Sequence, residues 1–288
     1  MVASPGKRAA LLELAGELDR LGFAGIACPS LGGAIGLCAS LAHVTSQIKF
    51  FTSIQPIYLQ HPRELAGVSG HIHEVSGGRF SLGLGVSHAP FLGSMGVATG
   101  KPLSDTRDYV AQVRAVAPDV PIILATLRDK MLTLATEVAN GAVWANAALS
   151  SMSAQLGRIP EATRDGFFLG CMIPTVIDAD KAAARAVHRK TLTMYVGLPN
   201  YRNHWKEAGY AEEMDAIEAA LAVRDRERVQ ALMTDRWVDD CTLSGSADEV
   251  RAGVEAWREA GISTPILVMS STSGGQAKAL NEVMTAYN

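Results

Sequence analysis

The sequence predicts an α/β fold built on a parallel sheet and closed into a (β/α)8 TIM-type barrel. Three observations carry that prediction. Seven short β-rich runs alternate with longer helical stretches, the order that produces parallel strands joined by crossover helices. The runs are apolar almost throughout rather than alternating, as strands covered on both faces must be. The chain has 288 residues, enough for one barrel of about 250 residues plus an insertion.

In chain order the strand candidates are residues 23–28, 48–54, 79–86, 120–125, 141–146, 167–174 and 265–270. A helix over 7–21 comes before them all. In a barrel it should follow a first strand, yet residues 1–6 are too few and too polar to make a good one, so the first strand is expected to be weak or missing, through degradation or a start downstream of the usual one. Pro62, preceded by His61, suits the first turn of a helix whose stripe is Leu65, Val68, Ile72 and Val75. Gly77 and Gly78 stand where a left-handed cap should end it, and Asn140-Gly141 is expected to close the helix 129–139 in the same manner. Val250, Val254 and Trp257 mark another buried stripe. Residues 195–240 are long, helical and rich in charge, with no strand. They read as an insertion after the seventh barrel strand, placed to cover the mouth, within one domain spanning 1–288.

Composition narrows the partners. With 48% apolar and 19% charged residues the chain has material for a core and no signature of disorder. A net charge of −3 without any cluster of Lys and Arg argues against nucleic acid or an anionic membrane surface. No apolar run reaches the roughly 18 residues that span a bilayer, and the first eight residues lack the apolar stretch of a signal peptide. Cys28, Cys38, Cys171 and Cys241 form no C-x-x-C pair and read as buried thiols of a cytoplasmic protein.

Barrel chemistry is built from loops after the strands. The candidates are Pro29-Ser30, Ser53-Ile54-Gln55, Val86-Ser87-His88, Thr126-Leu127-Arg128, Asn146 and Ser270-Ser271. These are mostly neutral hydrogen-bonding groups on an apolar floor, which suits a planar heterocycle whose own ring performs a redox step. Hydrolase signatures are missing: there is neither a G-x-S-x-G elbow nor H-E-x-x-H. Gly83-x-Gly85 lies inside a strand, with no third glycine opening a helix, so it is not a dinucleotide fingerprint. His71 and His73, two apart on a helix, point in different directions and make no metal site.

Four ordered segments carry a resemblance. They are TSQIKFFTSIQPIYLQHPRELA from Thr45, SGGRFSLGLGVSHAP from Ser76, VPIILATLRDKMLTLATEVANGAVW from Val120 and YVGLPNYRNHWKEAGY from Tyr195. Together they closely resemble the luciferase-like superfamily, in particular its branch using the deazaflavin coenzyme F420. The resemblance implies that Ser53, Ile54 and Gln55 lie against the ring, on a strand bulge where relatives often hold a cis peptide. It implies that Val86, Ser87 and His88 border the ring and side chain, and that Ala125, Thr126, Leu127 and Arg128 meet a phosphate. The last role has a physical reason of its own, because exposed N–H groups and the dipole of the helix opening near Asp129 favour an anion. Arg128-Asp129 stands where relatives usually carry Gly-Pro, which adds one cation and one opposing carboxylate. The His and Glu of the sugar-phosphate dehydrogenases in this branch have no counterpart here, since Cys28-Pro29-Ser30 lacks the His and His88 occupies the Glu position. A reductase is therefore expected rather than a sugar-phosphate oxidiser.

Several residues admit a plainer reading. His88 is the best acid–base candidate, since a pKa near its ordinary value of about 6.5 would permit proton transfer; the alternative is a loop hydrogen bond. His61 is expected to cap its helix, and Arg79 to tie down a loop or interface. Tyr201, Arg202 and Trp205 line either a substrate lid or one buried face of a solvated helix. The Gly32-Gly33 loop either lets a cofactor tail approach or is simply a turn, and the methionines are core filler. The expected activity is hydride transfer between coenzyme F420 and a small organic substrate, by a homodimer. The alternatives are a monooxygenase using FMN and oxygen, and a cofactor-binding paralogue without turnover.

Overall fold

The structure, a computed structural model, describes residues 1–30 and 33–288. Gly32 therefore lies outside the described residues. Nine strands are present among them: β1 Gly25–Cys28, β2 Lys49–Thr52, β3 Gln55–Pro56, β4 Phe80–Gly85, β5 Ile122–Ala125, β6 Gly141–Ala145, β7 Phe168–Ile177, β8 Leu243–Gly245 and β9 Thr264–Ser270. Residues 1–6 form no strand. No helix among the described residues is long and apolar enough to cross a membrane.

The chain divides into two compact units, one of residues 1–143 and 159–168, the other of 144–158 and 169–288. In the first unit every ladder is parallel. β1 pairs β2 from Gly25↔Lys49 to Cys28↔Thr52, β2 and β3 each pair β4, β4 pairs β5, and β5 pairs the start of β6. Parallel pairing demands crossover connections, and helices such as Ala34–Val44, Pro62–Val75 and Asp129–Val138 supply them. The core of this unit is aliphatic and aromatic. Phe50, Phe80, Leu65, Ile72, Leu82 and Leu84 are fully enclosed, each worth about 1.5–3 kcal/mol of transfer free energy.

Punctuation residues act by different means. His61 accepts the Arg63 N–H at 3.3 Å and caps the helix that Pro62 opens. Gly77 and Gly78, at φ 64° and 83°, end that helix in the left-handed region. The predicted stripe of this helix needs correction. Leu65, Ala66, Ser69 and Ile72 are buried, while Val68 and Val75 are about 40% exposed, because small residues at 66 and 69 form the contact face. Asn140-Gly141 also works otherwise than expected. Ala139 is already extended, Asn140 Oδ1 accepts the Ile122 N–H at 3.0 Å, and a Cβ on Gly141 would meet the Phe168 carbonyl oxygen at 2.7 Å. That glycine serves close approach, not capping.

Arg79 is a hub. Its guanidinium donates to the carbonyls of Ser76, Ile48, Ala42 and Thr45 and to the Thr45 hydroxyl, at 2.7–3.2 Å, and it lies over the Phe50 ring. It satisfies orphaned carbonyls at the end of helix Ala34–Val44, where a cation is also favoured by the dipole. The expected tying role is thus met within the fold.

In the second unit β7 pairs β8 and β9, both parallel. Trp144, Trp205, Trp237 and Trp257 are fully buried there. Val250 and Val254 join Trp257 on one face of helix Ala247–Glu259, whose Ser246–Glu249 capping box fixes its start. Residues 195–240 are helical and without a strand. Tyr195, Tyr201, Trp205 and Trp237 form a chain of rings with centroids 4.8–5.5 Å apart. Tyr201, Arg202 and Trp205 therefore belong to a buried helix face.

Candidate functional site

The candidate residues of the first unit converge at the C-terminal ends of β2, β4 and β5. β2 ends in a threonine whose hydroxyl works in both directions. Thr52 donates to the Gly83 carbonyl at 2.8 Å, and the Gly83 N–H donates to Thr52 Oγ1 at 2.9 Å. A Cβ at residue 83 would run into the Thr52 carbonyl oxygen. The approach of the two strands therefore depends on a glycine.

Beyond Thr52 the chain turns through a cis peptide between Ser53 and Ile54, at the position the resemblance implies. The Ser53 N–H donates to the Cys28 carbonyl at 2.7 Å, and the Ile57 N–H to that of Gly85 at 3.0 Å. Between them Gln55 and Pro56 pair with Leu84 and Gly85. The turn is thus anchored to β1 on one side and β4 on the other. Gly85 is the seat of the arrangement. A Cβ there would lie 2.9 Å from Ile54 Cγ1 and 3.0 Å from Ala125 Cβ. Ile54 and Ala125 both pack against Gly85, so the loops after β2, β4 and β5 share one apolar floor.

Ser87 follows Val86 with φ 61°, a conformation uncommon outside glycine and worth noting at a strand end. It aims the chain into the short helix Ala89–Ser94, which starts after His88. Burial pushes the His88 pKa below the ordinary histidine value. That favours the uncharged imidazole, a form with one donor and one acceptor nitrogen.

At the end of β5 the phosphate reading needs adjustment. The Thr126 N–H donates to the Val143 carbonyl at 2.9 Å, so that amide is engaged within the sheet. The Thr126 hydroxyl, by contrast, is buried without a hydrogen-bond partner, which ordinarily costs about 1–3 kcal/mol. Leu127 is half-buried and Arg128 exposed. Helix Asp129–Val138 opens after Arg128 with no side chain capping it and Asp129 in its first turn. An anion would meet this helix end beside an acidic residue, which weakens the dipole's attraction.

Sequence reasoning missed Thr52. The signal for Thr52 was available: a hydroxyl residue at a strand end, opposite a Gly-x-Gly strand. Asn146, a separate candidate, belongs to the second unit. It lies at φ 54°, its carbonyl accepts the Trp205 indole N–H at 2.9 Å, and its side-chain amide faces the Tyr195 hydroxyl.

The arrangement offers a half-buried apolar floor, neutral hydrogen-bonding groups around it and one imidazole. That set can hold a flat, largely uncharged ring system and offer it hydrogen bonds. Buried polar atoms still lacking a partner, Thr126 Oγ1 first, fit a ligand that supplies one.

A family model described as luciferase-like monooxygenase matches residues 1–264. A Mycobacterium tuberculosis protein provisionally named a coenzyme F420-dependent oxidoreductase is 24% identical over 290 aligned positions, covering 82% of each chain. The solved coenzyme F420-dependent tetrahydromethanopterin reductase of Methanopyrus kandleri superposes with a TM-score of 0.81 at 18% identity, covering 99% of this chain and 96% of that one. The oxygenating constituent of 3,6-diketocamphane monooxygenase of Pseudomonas putida, solved with FMN, superposes at 0.65 with 15% identity, covering 99% and 94%. These likenesses show a shared α/β fold.

Proposed function

The chain belongs to the luciferase-like monooxygenase family, and on that premise we propose that it is a coenzyme F420-dependent oxidoreductase acting as a reductase on a small organic substrate. The scaffold proposed for it is a single (β/α)8 barrel domain over 1–288, with residues 195–240 as its helical insertion. The observation that carries the reading is the packing of Ile54 and Ala125 on Gly85, which lacks the side chain that would hold them off. It makes a flat apolar floor at strand ends that carry few charges, the surface a deazaflavin ring would need. The named activity of the Mycobacterium tuberculosis relative supports the choice of coenzyme.

When bound, the deazaflavin supplies the carbon that gives or takes the hydride. This chain's own groups do the rest. Ser53, Ile54 and Gln55 form the floor, and Val86 and Ser87 the wall beside it. Ala125, Thr126, Leu127 and Arg128 form the phosphate end, where the Thr126 hydroxyl gains the partner it lacks and Arg128 contributes its charge. His88, its uncharged form favoured by burial, donates a hydrogen bond from a ring N–H to the substrate atom that acquires negative charge as hydride arrives, and water delivers the proton that completes the reduction. Self-association as a homodimer belongs to the same proposal.

The fold similarity to an FMN-bound monooxygenase favours a second reading, use of FMN and oxygen. Oxygen uptake with reduced FMN and substrate separates the two. The expected outcome is coenzyme F420 oxidation in step with substrate reduction and no oxygen uptake; stoichiometric oxygen uptake overturns the first reading.

A further inference from the structure

The loop after the cis peptide is held by a helix that takes no part in the proposed coenzyme contacts. Tyr58 donates its phenolic O–H to Asp105 Oδ2 at 2.8 Å. Tyr109 donates to the Gln60 carbonyl at 2.9 Å. Asp105 and Tyr109 lie four residues apart on helix Pro102–Arg114 and so share one face. Gln60 in turn accepts the side-chain N–H of Gln55 at 3.3 Å through its own amide oxygen. The candidate ring contact Gln55 is therefore the last link of a chain that starts on this helix.

The same phenol reaches a second segment. The Gly100 amide faces the Tyr58 oxygen, and a Cβ at residue 100 would press on the Asp105 carboxylate. Gly100 lies near the end of segment 89–101, which begins directly after His88. Each segment has one well-buried apolar anchor, Ile57 in the first and Leu92 in the second, while Leu59, Phe91 and Met95 are 38%, 39% and 46% exposed. Beyond those anchors, directional hydrogen bonds fix the spacing of the two segments.

We propose that Tyr58 and Asp105 are positioning residues: a latch that fixes the 53–60 loop and the 89–101 segment around the ring face, on the reading that this end of the unit binds the coenzyme. Neither residue need touch the reacting atoms. Burial, followed by the Asp105 hydrogen bond, pushes the Tyr58 phenol up to about 12, so it remains a donor throughout the working range.

The test compares the full chain with Tyr58→Phe, Asp105→Ala and Asp105→Asn by amide hydrogen exchange, alongside fluorescence titration with coenzyme F420 and with FMN. Loss of one hydrogen bond to a charged group is worth about tenfold or more in a local opening equilibrium. Exchange in 57–60 and 89–101 is expected to quicken by about that factor in Tyr58→Phe and Asp105→Ala, with β4 and β5 unchanged. Asp105→Asn keeps an acceptor and is expected to restore most of the protection. Affinity for whichever coenzyme the wild type prefers is expected to fall about five- to tenfold in the same two variants. Unchanged exchange in the two segments, or an increase spread evenly over the unit, overturns the latch. So does an Asp105→Asn variant as impaired as Asp105→Ala. A wild type that prefers FMN, or binds neither coenzyme, overturns the F420 reading, and the exchange data still judge the latch.

Discussion

Substituting Gly85 by alanine isolates the seat of the candidate site. The added methyl would approach two Ile54 carbons at 2.9 and 3.0 Å and the Ala125 Cβ at 3.0 Å, several tenths of an ångström inside ordinary contact. Overpacking of this degree costs about 1–3 kcal/mol. Backbone holds Ala125 in the ladder with Val143, so most of the relief must come from Ile54 moving away from the floor. We expect Gly85→Ala to fold, to lose about 1–2 kcal/mol in urea unfolding, and to bind coenzyme F420 about 10–100-fold more weakly, since the displaced residue belongs to the proposed binding surface. Gly83→Ala is the control. Its methyl would overlap the Thr52 carbonyl oxygen, backbone that cannot rotate aside, so that variant should not reach the folded state. Shortening Ile54 to valine in the Gly85→Ala background should recover part of the lost stability, because the two sites are in contact. The reasoning is refuted if Gly85→Ala binds within twofold of wild type, or if Gly83→Ala is as stable as Gly85→Ala.

Three further outcomes follow from single residues. Arg79→Ala removes five hydrogen bonds and should cost about 3 kcal/mol in urea unfolding, with Arg79→Lys recovering little because an ammonium cannot reproduce the fork; a loss under about 1 kcal/mol contradicts this. Thr126→Val should raise stability without ligand by about 1 kcal/mol while weakening coenzyme binding several-fold, since the hydroxyl lacks a partner until a ligand arrives; equal signs for the two effects count against the assigned role. His188, whose Nε2 lies 3.1 Å from the Leu243 carbonyl, has its pKa lowered to about 4 by burial. A depressed histidine leaves the unfolded chain binding the extra proton, so stability is intact above pH ~6.5 and falls as pH drops toward 4, by about 2 kcal/mol between pH 7 and 5. His188→Gln should flatten that slope in urea titrations at the two pH values, and an unchanged slope rejects the assignment.

The fold was legible where burial left a compositional mark. All seven apolar runs are strands, because covering both faces leaves little room for polar residues. β3 and β8, of two and three residues, carry too little apolar content to register; Gln55-Pro56 and Leu243–Gly245 are strands through ladder bonds alone. Val68 and Val75 misled because periodicity marks hydrophobes, whereas close helix approach here uses the small Ala66 and Ser69. At the site, chain position predicted which loops meet, since parallel strands put successive loops at one end. What sequence could not reveal is the state of each group. His88 is biased toward its uncharged form by its surroundings, the Thr126 amide is engaged by Val143 while its hydroxyl is not engaged, and Tyr58 finds Asp105 across 47 residues.

The central claim is the proposal that the floor formed by Ile54, Gly85 and Ala125 receives the ring of coenzyme F420. It is tested most directly by titrating the purified chain with oxidised coenzyme F420 and, separately, with FMN, following coenzyme fluorescence for the wild type and Gly85→Ala. The account predicts saturable binding of coenzyme F420, at least tenfold preference over FMN, and loss of that binding in Gly85→Ala. Preference for FMN, or coenzyme F420 binding that Gly85→Ala leaves unchanged, would contradict it.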